Sequence, residues 1–277
     1  MKLGLTLGGG GSKGSYQIGV LKALLEEELL NDLKVVSGTS IGAFNACLVM
    51  ERLSYEKMEE IWLQIDNHEM YNGLSRFKQD KLGLFDQTKM YEILIANQEK
   101  ENLRNSNIKG LVVASKVKDI SLRKQLSKAN MEEKIFHLNN LKDPHKAVLA
   151  SSSVPIVFGP TKINNNYYVD GGLLNNLPVD LVIKEGCNVI IVISLSPTGD
   201  LSNYYNDNII IDFSPKTKLV RTILGSLDFN EESLINRINQ GYSDAKELIN
   251  YLKDNNVIIN NKFNLDKKGI YNYETMV

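Results

Sequence analysis

The chain has 277 residues, 43% of them hydrophobic and 23% charged, and a formal net charge of -1. A chain of this length can bury roughly 75% of its unfolded surface, so its core needs no staples, and the near-neutral balance gives no general pull towards nucleic acid. The two cysteines, Cys47 and Cys187, sit in apolar surroundings without CxxC or Cys/His spacing, which predicts buried free thiols in a reducing compartment.

Taken in chain order, Lys2 to Leu7 reads as a short buried strand that ends at a run of glycines. It is too short for a secretory apolar core, and glycines stand where a cleavage site would be. Ser15 to Glu28 carries Val20, Leu21, Leu24 and Leu25 at helical spacing. Lys34 to Ser37 is a second strand, cut by Gly38, and Ile41 to Leu53 is helical. Strand, glycine loop, helix, strand, sharp turn and helix together predict a parallel α/β sheet.

Ser54 to Gln98 is less regular, with Trp62, Met70, Tyr71, Phe77, Leu84 and Phe85 scattered among charges, and is expected to be a helical covering of the sheet. Strands follow at Ile108 to Ser115 and Ile135 to Leu138, around a basic stretch from Lys116 to Lys128 that reads as a solvated loop able to touch anionic headgroups. Pro144 to Ser152 is expected to be a helix, and Tyr167 to Val169 and Val189 to Leu195 strands. Polar loops fill the stretch after residue 200, and an amphipathic helix is expected near 231–252. The longest apolar run is far below the ~20 residues of a membrane helix. One domain over residues 1–277, cytoplasmic and at most peripheral at a membrane, is the expectation.

The segment Leu7-Gly8-Gly9-Gly10-Gly11-Ser12-Lys13-Gly14 spends five of eight positions on the residue that loses most backbone freedom on ordering. Something must approach its main chain closely. The spacing satisfies GxGxxG, but a dinucleotide site needs an acid at the end of the second strand, and that strand ends Val35-Val36-Ser37-Gly38. A P-loop needs lysine directly after its last glycine, where Ser15 stands. Both phosphate readings fail.

The second strand runs into Gly38-Thr39-Ser40-Ile41-Gly42, a GxSxG at a strand-to-helix junction. There the serine backbone is strained so that its Oγ projects into a cleft, and side chains two positions away on either side would collide. The glycine loop beside it then has a purpose. Backbone N–H groups from Gly9, Gly10, Gly11, Ser12, Lys13 and Gly14 are the candidates to meet the oxyanion formed when Ser40 attacks an acyl carbonyl, helped by the positive end of the following helix.

The base for Ser40 is harder to place. The histidines are His68, His137 and His145. An ordinary α/β-hydrolase places its histidine near the C-terminus and its elbow after several strands, and neither condition holds. The competing base is Asp170 in Tyr168-Val169-Asp170-Gly171-Gly172, where Gly171 and Gly172 would let the carboxylate sit against Ser40 without crowding. Burial would raise its pKa from ~3.9 towards a useful value.

At this point the chain resembles the patatin-like phospholipases, through LGGGGSKGSYQIGVLKAL, VVSGTSIGA and YYVDGGLLNNLPV in that order. The resemblance implies a three-layer α/β/α fold with a mostly parallel sheet, a Ser40–Asp170 dyad, an oxyanion loop at Gly9 to Gly11 and neighbours, and hydrolysis of lipid acyl esters with no metal or cofactor. Lys13 departs from the commoner arginine, keeping the charge and losing a bidentate donor. Ile156-Val157 follows Pro155 where a smaller residue is usual. Two other functions share some of these features. An acyltransferase or thioesterase would use the same acyl-enzyme, and a non-catalytic lipid- or nucleotide-binding module would have no use for serine, aspartate and loop together.

Overall fold

A computed structural model of the chain describes residues 1–65, 88–121, 123–205, 207–220 and 223–276. His68, Met70, Tyr71, Phe77, Leu84 and Phe85 lie outside the described residues.

Strand β1 (Leu3–Leu7) passes through the glycine loop into helix α1 (Ser15–Glu26), and β2 (Leu33–Thr39) turns at Ser40 into α2 (Ile41–Met50). The covering segment contributes α3 (Tyr55–Leu63), α4 (Thr88–Asn97) and α5 (Lys100–Asn105). Then come β3 (Lys109–Val117), β4 (Met131–His137), α6 (Pro144–Ser151), β5 (Thr161–Ile163), β6 (Asn166–Asp170), α7 (Val179–Lys184), β7 (Val189–Ile193) and β8 (Ile209–Asp212). Helix α8 (Glu231–Asp254), a small hairpin of β9 (Ile258–Ile259) and β10 (Lys262–Phe263), and β11 (Gly269–Tyr271) complete the order.

The main sheet has the order β11-β8-β7-β1-β2-β3-β6-β5, with β4 also paired to β3. Its β11-β8-β7-β1-β2-β3 portion is parallel, whereas β4, β5 and β6 enter antiparallel. The central strands are buried on both faces, which is why they read as continuous apolar runs rather than as alternations. Their period of two still separates two cores. Leu5, Val36, Val112, Ile191 and Ile211 face the larger one with α1, α2 and α8, while Val35, Val113, Ile190, Val192 and Ile210 face a thinner one capped by Val179 and Val182 of α7. Helices therefore flank a mixed, mostly parallel sheet on both sides.

Two features depart from the expected layout. The stretch after residue 200 holds β8, because Ile209-Ile210-Ile211 is an apolar run too short to stand out between polar neighbours. The α8 helix crosses α1 so closely that a Cβ on Gly19 would strike the Ile238 carbonyl, and one on Gly241 the Tyr16 carbonyl. That crossing brings the C-terminal helix to the base of the glycine loop.

Candidate active site

Strand β3 acts as the ruler of the site. One of its edges is fully occupied by β4, from Leu111 to Val117. Its other edge is shared end to end. Parallel β2 pairs along it as far as Thr39 opposite Val113, and antiparallel β6 pairs from the other direction, with Asp170 opposite Ala114. The carboxyl ends of β2 and β6 thus meet at consecutive residues of one strand, about 3.3 Å apart along it. Ser40 follows Thr39, so the nucleophile candidate and the acid are adjacent because of strand register.

The Ser40 Oγ donates to Asp170 Oδ2 at 2.6 Å, and each residue is only 7% exposed. Ser40 has φ 56° and ψ -126°, a conformation costing an L-residue on the order of 1–3 kcal/mol. Its surroundings hold it there. The Ser40 amide donates to Ser151 Oγ at 2.8 Å, which itself donates to the Val113 carbonyl at 2.5 Å. Gly38 is sandwiched in the sheet between Leu7 and Val112. Gly42, in the first turn of α2, packs against Leu7, and a Cβ there would run into that residue's carbonyl.

Asp170 is fixed with equal care. Its Oδ1 accepts from the Gly172 amide at 2.7 Å, its carbonyl from Ser115 Oγ at 3.0 Å, and its amide donates to the Ser153 carbonyl at 2.9 Å. Gly171 lies over β3 against Val113. Burial pushes the Asp170 carboxyl up to about 6, against the opposing pull of the hydrogen bonds from Ser40 and the Gly172 amide. A carboxylate so placed is a better proton acceptor than one in water.

The glycine loop divides into positions bonded within the fold and positions open to the cavity. The Gly9 amide is spent on the Asn176 carbonyl at 3.1 Å. Ser12 is fully buried and turned away, its Oγ donating to Gly225 O at 3.2 Å. Gly14 packs beneath Ile41 and Trp62. The Gly9 amide is thus already bonded, while the Ser12 side chain and the Gly14 Cα pack into the scaffold. Gly10 and Gly11 line the cavity in front of Ser40, and no main-chain partner for their N–H groups is found among the described residues. Gly11 adopts φ 60°, and a Cβ would collide with the Ser226 carbonyl, so only glycine lets the loop pass. Lys13 also lines the cavity, its Nζ donating to Leu195 O at 3.1 Å, and burial followed by the Arg237 charge lowers its pKa.

Behind the loop stands a chain of buried amides. Gln17 Nε2 donates to Gly8 O at 2.9 Å and to Ile193 O at 3.1 Å. Asn45 Nδ2 donates to Gln17 Oε1 at 2.7 Å and to Gly14 O at 3.0 Å, while Asn45 Oδ1 accepts from Trp62 Nε1 at 2.8 Å. The described part of the covering segment supports the loop in this way through Trp62, and no residue of it lines the cavity.

The cavity measures about 410 Å³. Its walls are Val154, Pro155, Val157, Leu173 and Leu227, and its polar side is the glycine loop with Lys13 and Asn176. Neither His137 nor His145 lines it. His145 is fully buried beside the Tyr91 ring, its nitrogens without a partner among the described residues and its pKa pushed down to about 4 by burial. Among the described residues no group of three histidine, cysteine or acidic side chains is placed to hold a metal ion.

The sequence reading missed Gln17, Asn45 and Arg237. A signal for Arg237 existed: Leu234, Arg237, Ile238, Gly241, Ala245 and Leu248 follow helical spacing, so the arginine stands on the buried stripe of α8.

A serine on a strained strand-to-helix elbow, bonded to an aspartate beside a glycine loop, defines an α/β protein of nucleophile-elbow type. A family model described as patatin-like phospholipase matches residues 5–183, and the chain belongs to that family. It is 28% identical over 193 residues to a protein named probable lipid hydrolase 463L of Invertebrate iridescent virus 6, covering 65% of this chain and 63% of that one. It is 28% identical over 207 residues to patatin-like phospholipase domain-containing protein 7 of Mus musculus, spanning 73% of this chain but 14% of the mouse protein. In fold it is similar to VipD from Legionella pneumophila, with a TM-score of 0.50, 15% identity, and coverage of 90% of this chain and 66% of VipD. The type III effector protein ExoU gives a TM-score of 0.50 at 14% identity, covering 89% of this chain and 52% of ExoU.

Proposed function

We propose that the chain is a serine acyl hydrolase of lipid esters, with phospholipids or lysophospholipids as its substrate class. The observation that carries the reading is the 2.6 Å contact of Ser40 Oγ with Asp170 Oδ2 at an apolar-walled cavity. Membership of the patatin-like phospholipase family supports it.

In the proposed reaction Asp170 takes the Ser40 proton as Oγ bonds to the acyl carbon, and the carbonyl oxygen becomes an oxyanion facing the Gly10 and Gly11 amides. Collapse breaks the ester C–O bond, and Asp170 returns the proton to the departing alcohol. Water then attacks the acyl-enzyme, giving its proton to Asp170, and the fatty acid leaves as Ser40 is reprotonated. The acyl chain lies along Val154, Pro155, Val157, Leu173 and Leu227. Lys13 faces the headgroup side as a cation. No described helix is long and apolar enough to cross a membrane, and the two buried free thiols fit a reducing compartment.

The test is fluorophosphonate labelling combined with turnover of a panel of acyl esters. Ser40 is expected to carry the label, and Ser40→Ala to be folded, unlabelled and inactive. Equal labelling of Ser40→Ala would overturn the reading.

A further inference from the structure

We propose that Arg237, on the C-terminal helix, is a positioning residue of the active site, clasping the glycine loop and the 225–228 turn together so that Gly10 and Gly11 stay aimed at the Ser40 cavity. The inference rests on the hydrolase reading of that cavity.

Arg237 is only 7% exposed, and its guanidinium reaches both segments. Nη1 donates to Ser12 Oγ at 3.2 Å and to Asp228 O at 3.1 Å, with a longer contact to Ser12 O at 3.5 Å. Nη2 approaches Gly225 O at 3.5 Å and lies 3.8 Å from Asp228 Oδ2. Ser12 Oγ closes the triangle by donating to Gly225 O. Three backbone carbonyls and one hydroxyl therefore converge on a single planar cation. A lysine ammonium could not span them, because its three donors radiate from one atom.

The turn matters to the cavity. Ser226 and Leu227 line it, and the Ser226 carbonyl lies directly against Gly11. Sliding this turn moves a cavity wall and the Gly11 backbone at once. The matched family region ends at residue 183, so turn and arginine come from a part of the chain that the family pattern does not specify. The buried charge also lies near Lys13, whose pKa is lowered by burial and then by that charge, so two cations flank the loop that the substrate oxyanion would face. That arrangement favours the charged transition state over the neutral ester, which predicts a loss in kcat rather than in KM.

The experiment compares wild type, Arg237→Lys, Ser12→Ala and the double variant. Active sites are titrated with fluorophosphonate, kcat per titrated site is measured on a short-chain chromogenic ester, and hydrogen exchange is followed in segments 9–14 and 223–228. Arg237→Lys is expected to lower kcat per site by about 10²-fold, the cost of an ångström-scale misplacement, with KM little changed. Exchange is expected to quicken in both segments together. The double variant is expected to be no worse than Arg237→Lys, since both changes break one linkage. Wild-type kcat per titrated site, unchanged exchange in the loop, or additive losses would each overturn the clasp. A merely structural arginine would lower the number of titratable sites and leave each survivor at full rate. A wild type inert to esters and fluorophosphonate would instead count against the hydrolase reading, with the exchange measurement still judging the clasp.

Discussion

The first two-thirds of the chain and its C-terminal third serve the same cavity by different physics. In the first part, placement comes from the backbone: β2 and β6 end at neighbouring residues of β3, and glycines admit the close approaches that follow. In the second, β7 and β8 extend the sheet, and one long side chain on α8 reaches back to the loop. Backbone placement leaves a motif, because glycine has no substitute where a Cβ would strike a carbonyl. Side-chain placement leaves none, because its signature is a single arginine within a helix. The contrast can be tested by removing chemistry, then support, then a bystander.

The largest effect belongs to the aspartate. Asp170→Asn keeps the size of the side chain and an oxygen for the Gly172 amide, but it cannot take the Ser40 proton. A loss of about 10⁴-fold or more in kcat is expected, comparable with removing a member of a catalytic triad. Stability should move the other way. The Asp170 pKa is raised from 3.8 to about 6, so the folded state binds the proton more tightly than the unfolded one. The stability from that proton is complete below pH 4 and is lost as pH rises through about 6. Above that pH the buried charge costs on the order of 3 kcal/mol, and Asp170→Asn removes the cost. Thermal melts at pH 8 should show the dead variant at or above the wild-type midpoint. In the wild type, kcat/KM should fall as pH drops below about 6, where the base becomes protonated. A destabilised Asp170→Asn that retained activity would refute both halves.

Next in size is the amide chain behind the glycine loop. Gln17→Leu orphans the buried Gly8 carbonyl and takes one of two partners from Asn45 Nδ2 and from the Ile193 carbonyl, which keep Gly14 O and the Gly8 amide. The orphaned group costs about 1–3 kcal/mol. The midpoint should drop by several degrees at roughly 2–4 °C per kcal/mol, and kcat should fall as the loop loosens. Unchanged melting would mean that the loop carries itself through its other bonds, as in Gly9 N–H to Asn176 O.

What could be read beforehand follows the same division. The elbow around Ser40, between Gly38 and Gly42, and the turn from Asp170 into two glycines were legible because close main-chain packing restricts residue type locally. The antiparallel entry of β6 was not, since Tyr167 to Asp170 has the same apolar character whichever way the strand runs. The glycine loop is ambiguous for a related reason: four glycines reveal a close approach without saying what approaches. For Gly9 it is the Asn176 carbonyl and for Gly11 the Ser226 carbonyl, both supplied by distant chain. Gln17 and Asn45 look like ordinary polar positions in helices until the fold buries them face to face.

The smallest expected effect is at His145. Its ring is buried, its nitrogens have no partner among the described residues, and burial pushes its pKa down to about 4, so it is neutral wherever the Asp170 carboxylate is charged. A neutral imidazole that touches neither Ser40 nor the cavity has no proton to exchange with substrate. His145→Leu exchanges two unsatisfied nitrogens for apolar atoms of similar bulk, a change that is near-neutral or slightly stabilising. Activity within about twofold of wild type is expected, since substitutions that spare the reacting groups leave transition-state stabilisation intact. The acid limb of kcat/KM should remain near pH 6, because it belongs to Asp170. A folded His145→Leu that lost the limb together with its activity would move the base from the carboxylate to the imidazole.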